Sequence, residues 1–283
     1  RYYIVYGNDE IWITELNEDL TAPKKDGLHR LLVSDHKNPE LGYEGSHIQK
    51  INGYYYIFLI HSLRDRWMRT EACFYSDSLE GEFTGGDVLC DDRGYCGQGV
   101  AQGGIVDTPD GKWYAMLFQD SGAVGRLPIL LPVTWKDHFP VFGQNGHVPE
   151  EIEVHSTRPG YIYQPLVGSD DFCNGLLPRW QFNHDPDPRY YHLDALQGTY
   201  TITTREVCTE LTQAVNTLTQ RMSYPSCAAE VTVDASALKE GDVAGLCALQ
   251  SCYAAVGITK HHGKYEVLML DKNCLLYTSP SPR

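Results

Sequence analysis

The sequence predicts an all-β chain, with a partial β-propeller in its first half and a partial β-sandwich behind it. Apolar residues alternate or form short runs, Gly, Pro, Asn and Asp punctuate those runs, and helical periodicity is nearly absent. The 19 Tyr, 8 Phe and 5 Trp residues suit the pleated surface of a sheet, and Tyr and Trp can also stack on sugar rings. A repeated strand pattern distinguishes the propeller from the sandwich.

One aromatic strand pattern recurs three times in the first half of the chain. Aligning Tyr3, Tyr55 and Tyr114 gives a spacing of roughly 50 to 60 residues, which is typical of propeller blades. The second and third copies contain Asn-Gly and Asp-Gly, the strongest short hairpin signals. A sandwich would show shorter and less regular spacing. Each copy is followed by another strand-like run, at residues 11–16, 72–76 and 129–135.

The pattern changes near residue 143, which divides the chain into domains. Residues 1–143 form the predicted propeller, residues 144–178 a polar, Pro-rich linker, and residues 179–273 the predicted sandwich. Strands of the sandwich are expected near residues 200–204, 228–233, 244–250, 254–259 and 265–270, with a turn at 262–264. Only about 90 residues of this region precede the tail, fewer than the ~100 of a whole sandwich, so we expect this domain to be incomplete.

Both ends of the chain indicate a fragment. The chain opens at Arg1 in the middle of a predicted strand, without Met or a signal peptide, so the N-terminal part of the propeller is expected to be missing. It closes with residues 274–283, which resemble the translation of a sequencing-library adapter and break from the preceding pattern. We therefore expect this tail to be non-native and leave it out of the fold prediction.

Charge and hydropathy exclude two classes of partner. The formal net charge is −14, from 37 acidic and 23 basic side chains, and no Lys/Arg-rich run offsets it. Such a surface repels phosphate backbones and anionic lipid headgroups. No stretch approaches the roughly 20 apolar residues that a membrane helix needs. We therefore expect neither nucleic acid nor a membrane as a partner.

The cysteines give little indication of metal or redox chemistry. Nine are present, without a CxxC pair or an HxxxH pattern. Cys90 could pair with Cys96, and Cys247 with Cys252, but small buried thiols in a reducing compartment fit the lack of a pairing scheme better. The cytoplasm is thereby favoured over a secreted or periplasmic location, although the sequence does not fix the compartment.

Glu44 is the first candidate for chemistry. It stands in Gly42-Tyr-Glu44-Gly-Ser-His47, next to Tyr43 and at the entry to a predicted strand. A carboxyl group beside an aromatic surface is desolvated, which raises its pKa and lets it carry a proton at neutral pH. A glycosidic oxygen is a poor leaving group and needs such a proton donor. The alternative is an ordinary exposed loop glutamate.

Two Gly-rich segments carry the other candidates. In Gln102-Gly-Gly104, the glycines allow the backbone to approach a ligand or a propeller axis closely. In Gly122-Ala-Val-Gly-Arg126, the arginine ends a loop and enters an apolar strand, so it is either aimed at a ligand or held in a structural salt bridge. Neither segment has the GxGxxG spacing or the Walker lysine of a nucleotide site, and no GxSxG elbow is present.

Taken together and in this order, these motifs resemble glycoside hydrolase family 43. The resemblance covers residues 1–143 through the Glu44 motif, the Gly-Gly-Ile-Val-Asp-Thr-Pro-Asp-Gly run and the loop before Arg126. Residues 177–270 are similar to the C-terminal lectin-like, concanavalin A-like β-sandwich of that family's β-xylosidases. The resemblance implies a five-bladed propeller with a central sugar pocket, and inverting hydrolysis by a base Asp, an orienting Asp and an acid Glu.

The same resemblance implies roles for four residues. Glu44 corresponds to the general acid, Arg126 to an arginine that contacts sugar hydroxyls, and His47 to a position behind the acid. Gln102 stands where many members carry an axial His, so a structural calcium or sodium ion there is in doubt, and no cofactor is required. Arg126, His47 and Gln102 form the predicted substrate-binding group. Both aspartates fall upstream of the first residue, and Asp9 is no substitute, so we expect the isolated chain to be inactive.

Several functions remain open from the sequence. The resemblance favours an exo-β-1,4-xylosidase acting on xylo-oligosaccharides, with an α-L-arabinofuranosidase acting on arabinose-substituted glycans as its close alternative. A non-catalytic carbohydrate-binding propeller and a propeller for protein interaction are the others. The last would have no need for Glu44 and Arg126 at their spacing from the aromatic strands.

Overall fold

The structure, a computed structural model, describes residues 1–223, 226–250 and 252–272, apart from the side chain of residue 123. The chain divides into two units, Arg1–Pro159 and Gly160–Arg283. The described residues form strands and two short 3-10 turns, and none of the turns could cross a membrane. The all-β prediction is confirmed. The tail predicted to be non-native, residues 274–283, lies outside the described residues.

Three antiparallel sheets follow one another in the first unit, and each is a simple meander of neighbouring strands. Sheet A contains β1 (Tyr2–Asn8), β2 (Glu10–Leu16) and β3 (His29–Ser34). Sheet B contains β4 (Glu44–Ile51), β5 (Tyr54–Ser62), β6 (Arg69–Ser76) and β7 (Thr84–Leu89). Sheet C contains β8 (Ala101–Asp107), β9 (Trp113–Asp120), β10 (Arg126–Lys136) and β11 (Phe139–Phe142). Meanders in series are the architecture of propeller blades, and the count of five blades stays a prediction.

The three aromatic strands of the sequence repeat are β1, β5 and β9. Asn52 and Gly53 both have positive φ, +48° and +94°, which a two-residue hairpin turn between β4 and β5 requires. The turn before β9 is held by the hydrogen bond from the Gly111 amide to the Thr108 carbonyl, at 2.8 Å. Both predicted hairpin turns are therefore confirmed.

Sheet B is buried on both of its faces. One face shares a core with sheet A that includes Ile11 and Ile57, and the other shares a core with sheet C that includes Phe58 and Leu117. As a result, β5 is buried continuously from residue 56 to residue 62. Double burial explains why β5 is a continuous apolar run in the sequence rather than an alternating one.

The second unit is built from smaller sheets. β12 (Gln181–Phe182) pairs with β15 (Leu218–Thr219), and β13 (Tyr191–Asp194) pairs with β14 (Thr199–Ile202). β16 (Val243–Leu249), β17 (Tyr253–His261) and β18 (Lys264–Lys272) form a three-stranded antiparallel sheet. The predicted turn at residues 262–264 joins β17 to β18. The strands predicted at 200–204, 244–250, 254–259 and 265–270 correspond to β14, β16, β17 and β18.

The strand predicted at residues 228–233 is wrong, because these residues are irregular in the structure. Val231 and Val233 alternate with polar residues but remain 51% and 37% exposed. A strand needs a neighbour for its N–H and C=O groups and a surface for its apolar face. The described residues supply neither, and alternation in the sequence cannot reveal that.

The expectation of buried cysteines is also wrong in part. Cys73 is buried and Cys247 is half-buried, but Cys90, Cys96 and three cysteines of the second unit are exposed, and all of these thiols are free. Neither of the two conceivable pairs, 90–96 and 247–252, therefore forms. The exposed thiols lie in irregular segments, which run over the surface and offer little apolar cover.

Candidate active site

Glu44 is the first residue of β4 and stands at a β-bulge. It is in register with Ile60 of β5, whereas His47 is in register with Phe58, so β4 carries one extra residue between them. Gly45, within this bulge, has φ +63°. A bulge bends its strand and re-aims the neighbouring side chain, and bulges are frequent beside active sites.

A matching bulge lies in β8, the first strand of sheet C. One extra residue stands between Ala101 and Gly104, and Gln102 within the bulge has φ +65°. This left-handed conformation is uncommon for a residue other than glycine. The two bulged strands are tied to each other, because Gln49 Nε2 donates to the Ile105 carbonyl at 2.9 Å.

The two bulges are in contact. A Cβ atom on Gly45 would lie only 2.2 Å from Gln102 Nε2, so a side chain at position 45 would displace the amide. The predicted substrate-binding residue Gln102 thus covers the residue that follows Glu44. Two positions that are about 58 residues apart in sequence meet here because β4 and β8 are the first strands of successive meanders.

Sheet A contributes a hydrogen bond to Glu44. Asn8, the last residue of β1, donates from Nδ2 to Glu44 Oε2 at 3.0 Å. The backbone supports this approach, since the Asp9 amide donates to the Tyr43 carbonyl at 2.9 Å. A Cβ at position 42 would lie 1.8 Å from Asp9 Oδ1 and 3.0 Å from Asp9 Cα, so any other residue than glycine would displace Asp9. Asp9 therefore has a structural place beside the site.

Tyr43 does not provide the aromatic surface that the sequence suggested for Glu44. Its ring packs into the core between sheets A and B, edge-on to His61 and Phe74. Burial raises the pKa of Tyr43 to about 12. Neighbouring residues of an extended chain point to opposite sides, so the ring and the carboxylate face different surroundings. Glu44 is half-buried and lies beside polar groups instead.

Asp120 links Arg69 to Arg126, and the charge of Glu44 acts on Arg69. Arg69 Nη1 forms a short ion pair with Asp120 Oδ2, and Arg126 Nε donates to Asp120 Oδ1 at 3.2 Å. The negative charge of Glu44 raises the pKa of Arg69, although less than the charge of Asp120 does. Acidic and basic groups therefore alternate in the order Glu44, Arg69, Asp120, Arg126, which we call the charge row. Both predicted residues, the acid and the arginine, are ends of this row.

Arg69 is enclosed, whereas Arg126 is accessible. The side chain of Arg69 is 6% exposed and that of Arg126 is 48% exposed. Burial lowers the pKa of Arg69, and the repulsion from Arg126 adds to this, while the charge of Asp120 opposes both. The two guanidinium groups also flank the Phe118 ring, with Cζ atoms 5.0 and 4.4 Å from its centroid.

The loop before Arg126 fixes where β10 begins. Asp120, the last residue of β9, is directly in register with Arg126. The Ser121 amide donates to the Gly125 carbonyl at 2.8 Å, which closes the connection into a tight hairpin loop. Arg126 thus takes part in a salt bridge, the second of the two alternatives from the sequence, and its exposed fraction still leaves room for a ligand.

Glu71 is the most enclosed acid near the site. It lies two residues after Arg69 on β6, at a third bulge, and none of its surface is exposed. Its Oε2 accepts the backbone N–H of Gln102 at 2.6 Å, while Oε1 has no hydrogen-bond partner among the described residues. Burial raises the pKa of Glu71 well above its ordinary value, against the weaker opposing effects of that hydrogen bond and of Arg69.

His47 lies on β4 beyond the bulge, and it is exposed. Its Cβ and Nδ1 would each be 3.8 Å from a Cβ placed on Gly104 of β8. The structure thus places His47 at the seam between the two bulged strands. Within residues 1–223, 226–250 and 252–272, no three His, Cys, Asp or Glu side chains converge where they could hold a metal ion, and we derive no step through one.

Sequence reasoning missed Asn8, Arg69, Glu71 and Asp120. A charged residue within an otherwise apolar strand is a detectable signal, and Arg69-Thr-Glu71 precedes Ala-Cys-Phe in such a strand. The ion-pair partners were not detectable, because Asp120 lies on another sheet, 51 positions along the chain from Arg69.

Comparison with known proteins follows the two units. Residues 1–140 match the family model of glycosyl hydrolases family 43. Residues 169–278 match the model of the β-xylosidase C-terminal concanavalin A-like domain. The two models match in the order that the sequence motifs predicted.

Solved structures and curated relatives agree with these models. A bifunctional GH43-CE protein from Bacteroides eggerthii has a TM-score of 0.79 at 39% identity, over 95% of this chain and 35% of that one. An engineered GH43 glycoside hydrolase with endo-xylanase and exo-arabinofuranosidase activity has a TM-score of 0.74 at 26% identity, over 95% of this chain and 51% of the other. A candidate β-xylosidase of Xylanibacter ruminicola is 28% identical over 225 residues, which are 77% of this chain and 41% of its own length.

The chain spans less than half the length of the curated relatives it matches. The two family models nevertheless leave only residues 141–168 and 279–283 unmatched. Because both models match in order along one polypeptide, this chain belongs to glycoside hydrolase family 43.

Proposed function

We propose that this chain is part of an inverting glycoside hydrolase that releases xylose from xylan-derived oligosaccharides, acting as an exo-β-1,4-xylosidase. The observation that carries the proposal is the charge row: Asp120 holds the accessible guanidinium of Arg126 beside the enclosed Arg69, on which the charge of the half-buried Glu44, at the bulged start of β4, also acts. Family membership and a relative named as a candidate β-xylosidase support this substrate class.

In the proposed mechanism, Glu44 is the general acid. It protonates the glycosidic oxygen as the bond to the leaving sugar breaks, while water attacks the opposite face of the ring in a single displacement. Arg126 holds hydroxyl groups of the bound sugar, and Asn8 fixes the orientation of the acid through its bond to Oε2. The reaction requires no cofactor.

The base is proposed to come from a longer protein. Inverting hydrolysis needs a second carboxylate roughly 6.5–9.5 Å from the acid, so that a water molecule fits between them. No residue of this chain is assigned to that role, and an orienting Asp is likewise proposed to lie upstream. We therefore propose that residues 1–143 complete a five-bladed propeller with upstream sequence, and that the isolated chain does not hydrolyse glycosides.

The test uses the longer protein that contains these 283 residues, assayed with xylobiose and with an aryl β-xyloside. We expect the initial xylose product to have inverted anomeric configuration, which NMR detects directly. Glu44→Gln should lower kcat on xylobiose by about 10²–10⁴-fold and should affect the activated aryl substrate much less, because a good leaving group needs no proton. Equal losses on both substrates would rule out an acid role for Glu44.

An α-L-arabinofuranosidase is the second candidate. It is favoured by the structural relative that displays exo-arabinofuranosidase activity at 26% identity. Aryl β-xyloside and aryl α-L-arabinofuranoside, compared by kcat/KM on the longer protein, separate the two candidates. Absence of both upstream aspartates, with retained binding of xylo-oligosaccharide, would instead favour a non-catalytic carbohydrate-binding propeller.

A further inference from the structure

We propose that Glu71 is a positioning residue, which holds the Gln102 bulge against Gly45 and thereby sets the position of Glu44. This inference rests on the proposed function. In this proposal Glu71 touches neither Glu44 nor a substrate. It acts only through Gln102 of β8, whose backbone N–H it holds.

The first step is the hydrogen bond between Glu71 and the β8 bulge. Gln102 has left-handed backbone geometry, which is unfavourable for a residue with a side chain. Its N–H points at Glu71 Oε2 from 2.6 Å, a short contact with a fully enclosed carboxyl group. Enclosure excludes water as a replacement for either partner, so loss of the acceptor would leave a buried N–H unpaired.

The second step is the contact between the two bulges. The side-chain amide of Gln102 occupies the space beside Gly45, since a Cβ at position 45 would lie 2.2 Å from Nε2. Gly45 directly follows Glu44 in a bulge that determines where the acid points. A shift of Gln102 therefore removes the packing that holds the backbone next to Glu44.

The third step concerns charge. Burial favours the neutral form of Glu71, and Oε1 has no donor among the described residues that would stabilise a negative charge. A neutral carboxyl group accepts the hydrogen bond from the backbone N–H of Gln102. It does not compete with the negative charges of Glu44 and Asp120 for Arg69. The charge row thus keeps two acidic and two basic groups. Glu71 holds the backbone of Gln102 without adding a negative charge to the row.

The test compares Glu71→Gln with Glu71→Leu. Gln keeps a neutral acceptor oxygen for the amide of residue 102, whereas Leu removes it. In the 283-residue chain, the backbone amide proton of Gln102 should give a downfield, slowly exchanging NMR signal in the wild type and in Glu71→Gln. This signal should be lost in Glu71→Leu. The ¹³C chemical shift of the Glu44 carboxyl group should stay at its wild-type value in Glu71→Gln and change in Glu71→Leu.

Kinetics on the longer protein give the second readout. Glu71→Leu should lower kcat on xylobiose roughly tenfold more than on the aryl β-xyloside, with little change in KM, because a displaced acid fails only where proton donation is needed. Glu71→Gln should restore the ratio between the two substrates. Glu15→Gln is the matched control: Glu15 is a buried acid on β2 that pairs with Lys24, and its loss should affect both substrates equally.

Gln102→Gly serves if Glu71→Leu does not fold. This variant keeps the backbone N–H that donates to Glu71 and removes the side-chain amide beside Gly45. The same selective loss of kcat on xylobiose is therefore expected. An unchanged ¹³C chemical shift of the Glu44 carboxyl group after loss of the Gln102 hydrogen bond would overturn the inference, as would Glu71→Gln behaving like Glu71→Leu. If the wild-type longer protein hydrolyses neither substrate, the proposed function fails, while the NMR result still decides whether Glu71 positions Glu44.

Discussion

The two units of this chain use similar strands in different packing environments. In the first unit, sheet B lies between sheets A and C, and the fully buried apolar side chains found among the described residues belong to this unit. In the second unit, the sheet of β16–β18 leaves Val267 and Met269 78% and 83% exposed. The comparison teaches that the candidate site stands on the strands that are held most firmly, as a site that requires accurate geometry needs.

Deletion of core side chains should show the largest difference between the units. Phe58→Ala should lower the free energy of unfolding of the first unit by about 3–5 kcal/mol, because it leaves a cavity between two sheets. Val267→Ala should change the stability of the second unit by less than about 0.5 kcal/mol. Hydrogen exchange followed by mass spectrometry reports on each unit separately. Similar losses for both variants would remove the distinction.

Loss of an ion-pair partner should give the next largest difference. Asp120→Ala leaves the enclosed guanidinium of Arg69 without its acceptor, so the first unit should lose roughly 1–3 kcal/mol of stability. In the longer protein, KM for xylobiose should also rise, because Arg126 loses its anchor.

The matched variant in the second unit is Glu206→Ala, which breaks an exposed pair with Arg205. We expect no measurable change in unfolding, since exposed pairs contribute little. A fully stable Asp120→Ala protein would show that the charge row does not support the first unit.

Substitution of one glycine with positive φ in each unit compares the two units at positions with similar backbone conformation. Gly45 and Gly241 have φ of +63° and +84°, so alanine at either position should cost about 1 kcal/mol of unfolding free energy. Only Gly45→Ala should also move the side-chain amide resonance of Gln102, because nothing lies within 4 Å of a Cβ at position 241. An unmoved Gln102 resonance would show that the two bulges are not in contact.

The smallest expected effect is a pH dependence confined to the first unit. Burial opposes protonation of His61, but hydrogen bonds and charges from Asp87 and Asp35 outweigh it and raise the pKa of His61. His61 should therefore stabilise the fold fully below its unfolded pKa of about 6.5, and lose that contribution as pH rises through the higher folded pKa. The urea midpoints of the wild type and His61→Gln should differ more at pH 5.5 than at pH 8.5. The opposite trend would contradict the sign of the shift.

Much of the strand pattern could be predicted from local sequence. The aromatic repeat located β1, β5 and β9, and Asn52-Gly53 located the turn between β4 and β5. The strand expected at residues 228–233 was wrong, because alternation records what a strand would need and not whether a neighbouring strand is available.

Candidate site residues divide in the same way. Glu44, His47, Gln102 and Arg126 were named from motifs; the structure places Gln102 against Gly45, the residue after Glu44, and pairs Arg126 with Asp120. The connecting residues were not named, since contacts between different sheets leave no periodic signal in the sequence.

The amino-acid sequence by itself determined where the aromatic strands and the tight turns fall and which motif carries the candidate acid. Each of these depends on residues within a few positions, through backbone preference and the alternation of side chains. Only the tertiary structure decided that Arg69 pairs with Asp120, that Glu71 meets the backbone of Gln102 and that the Tyr43 ring packs into the core between sheets A and B. Those facts depend on how separate sheets stack, which is a sum of many weak contacts between positions far apart in the chain.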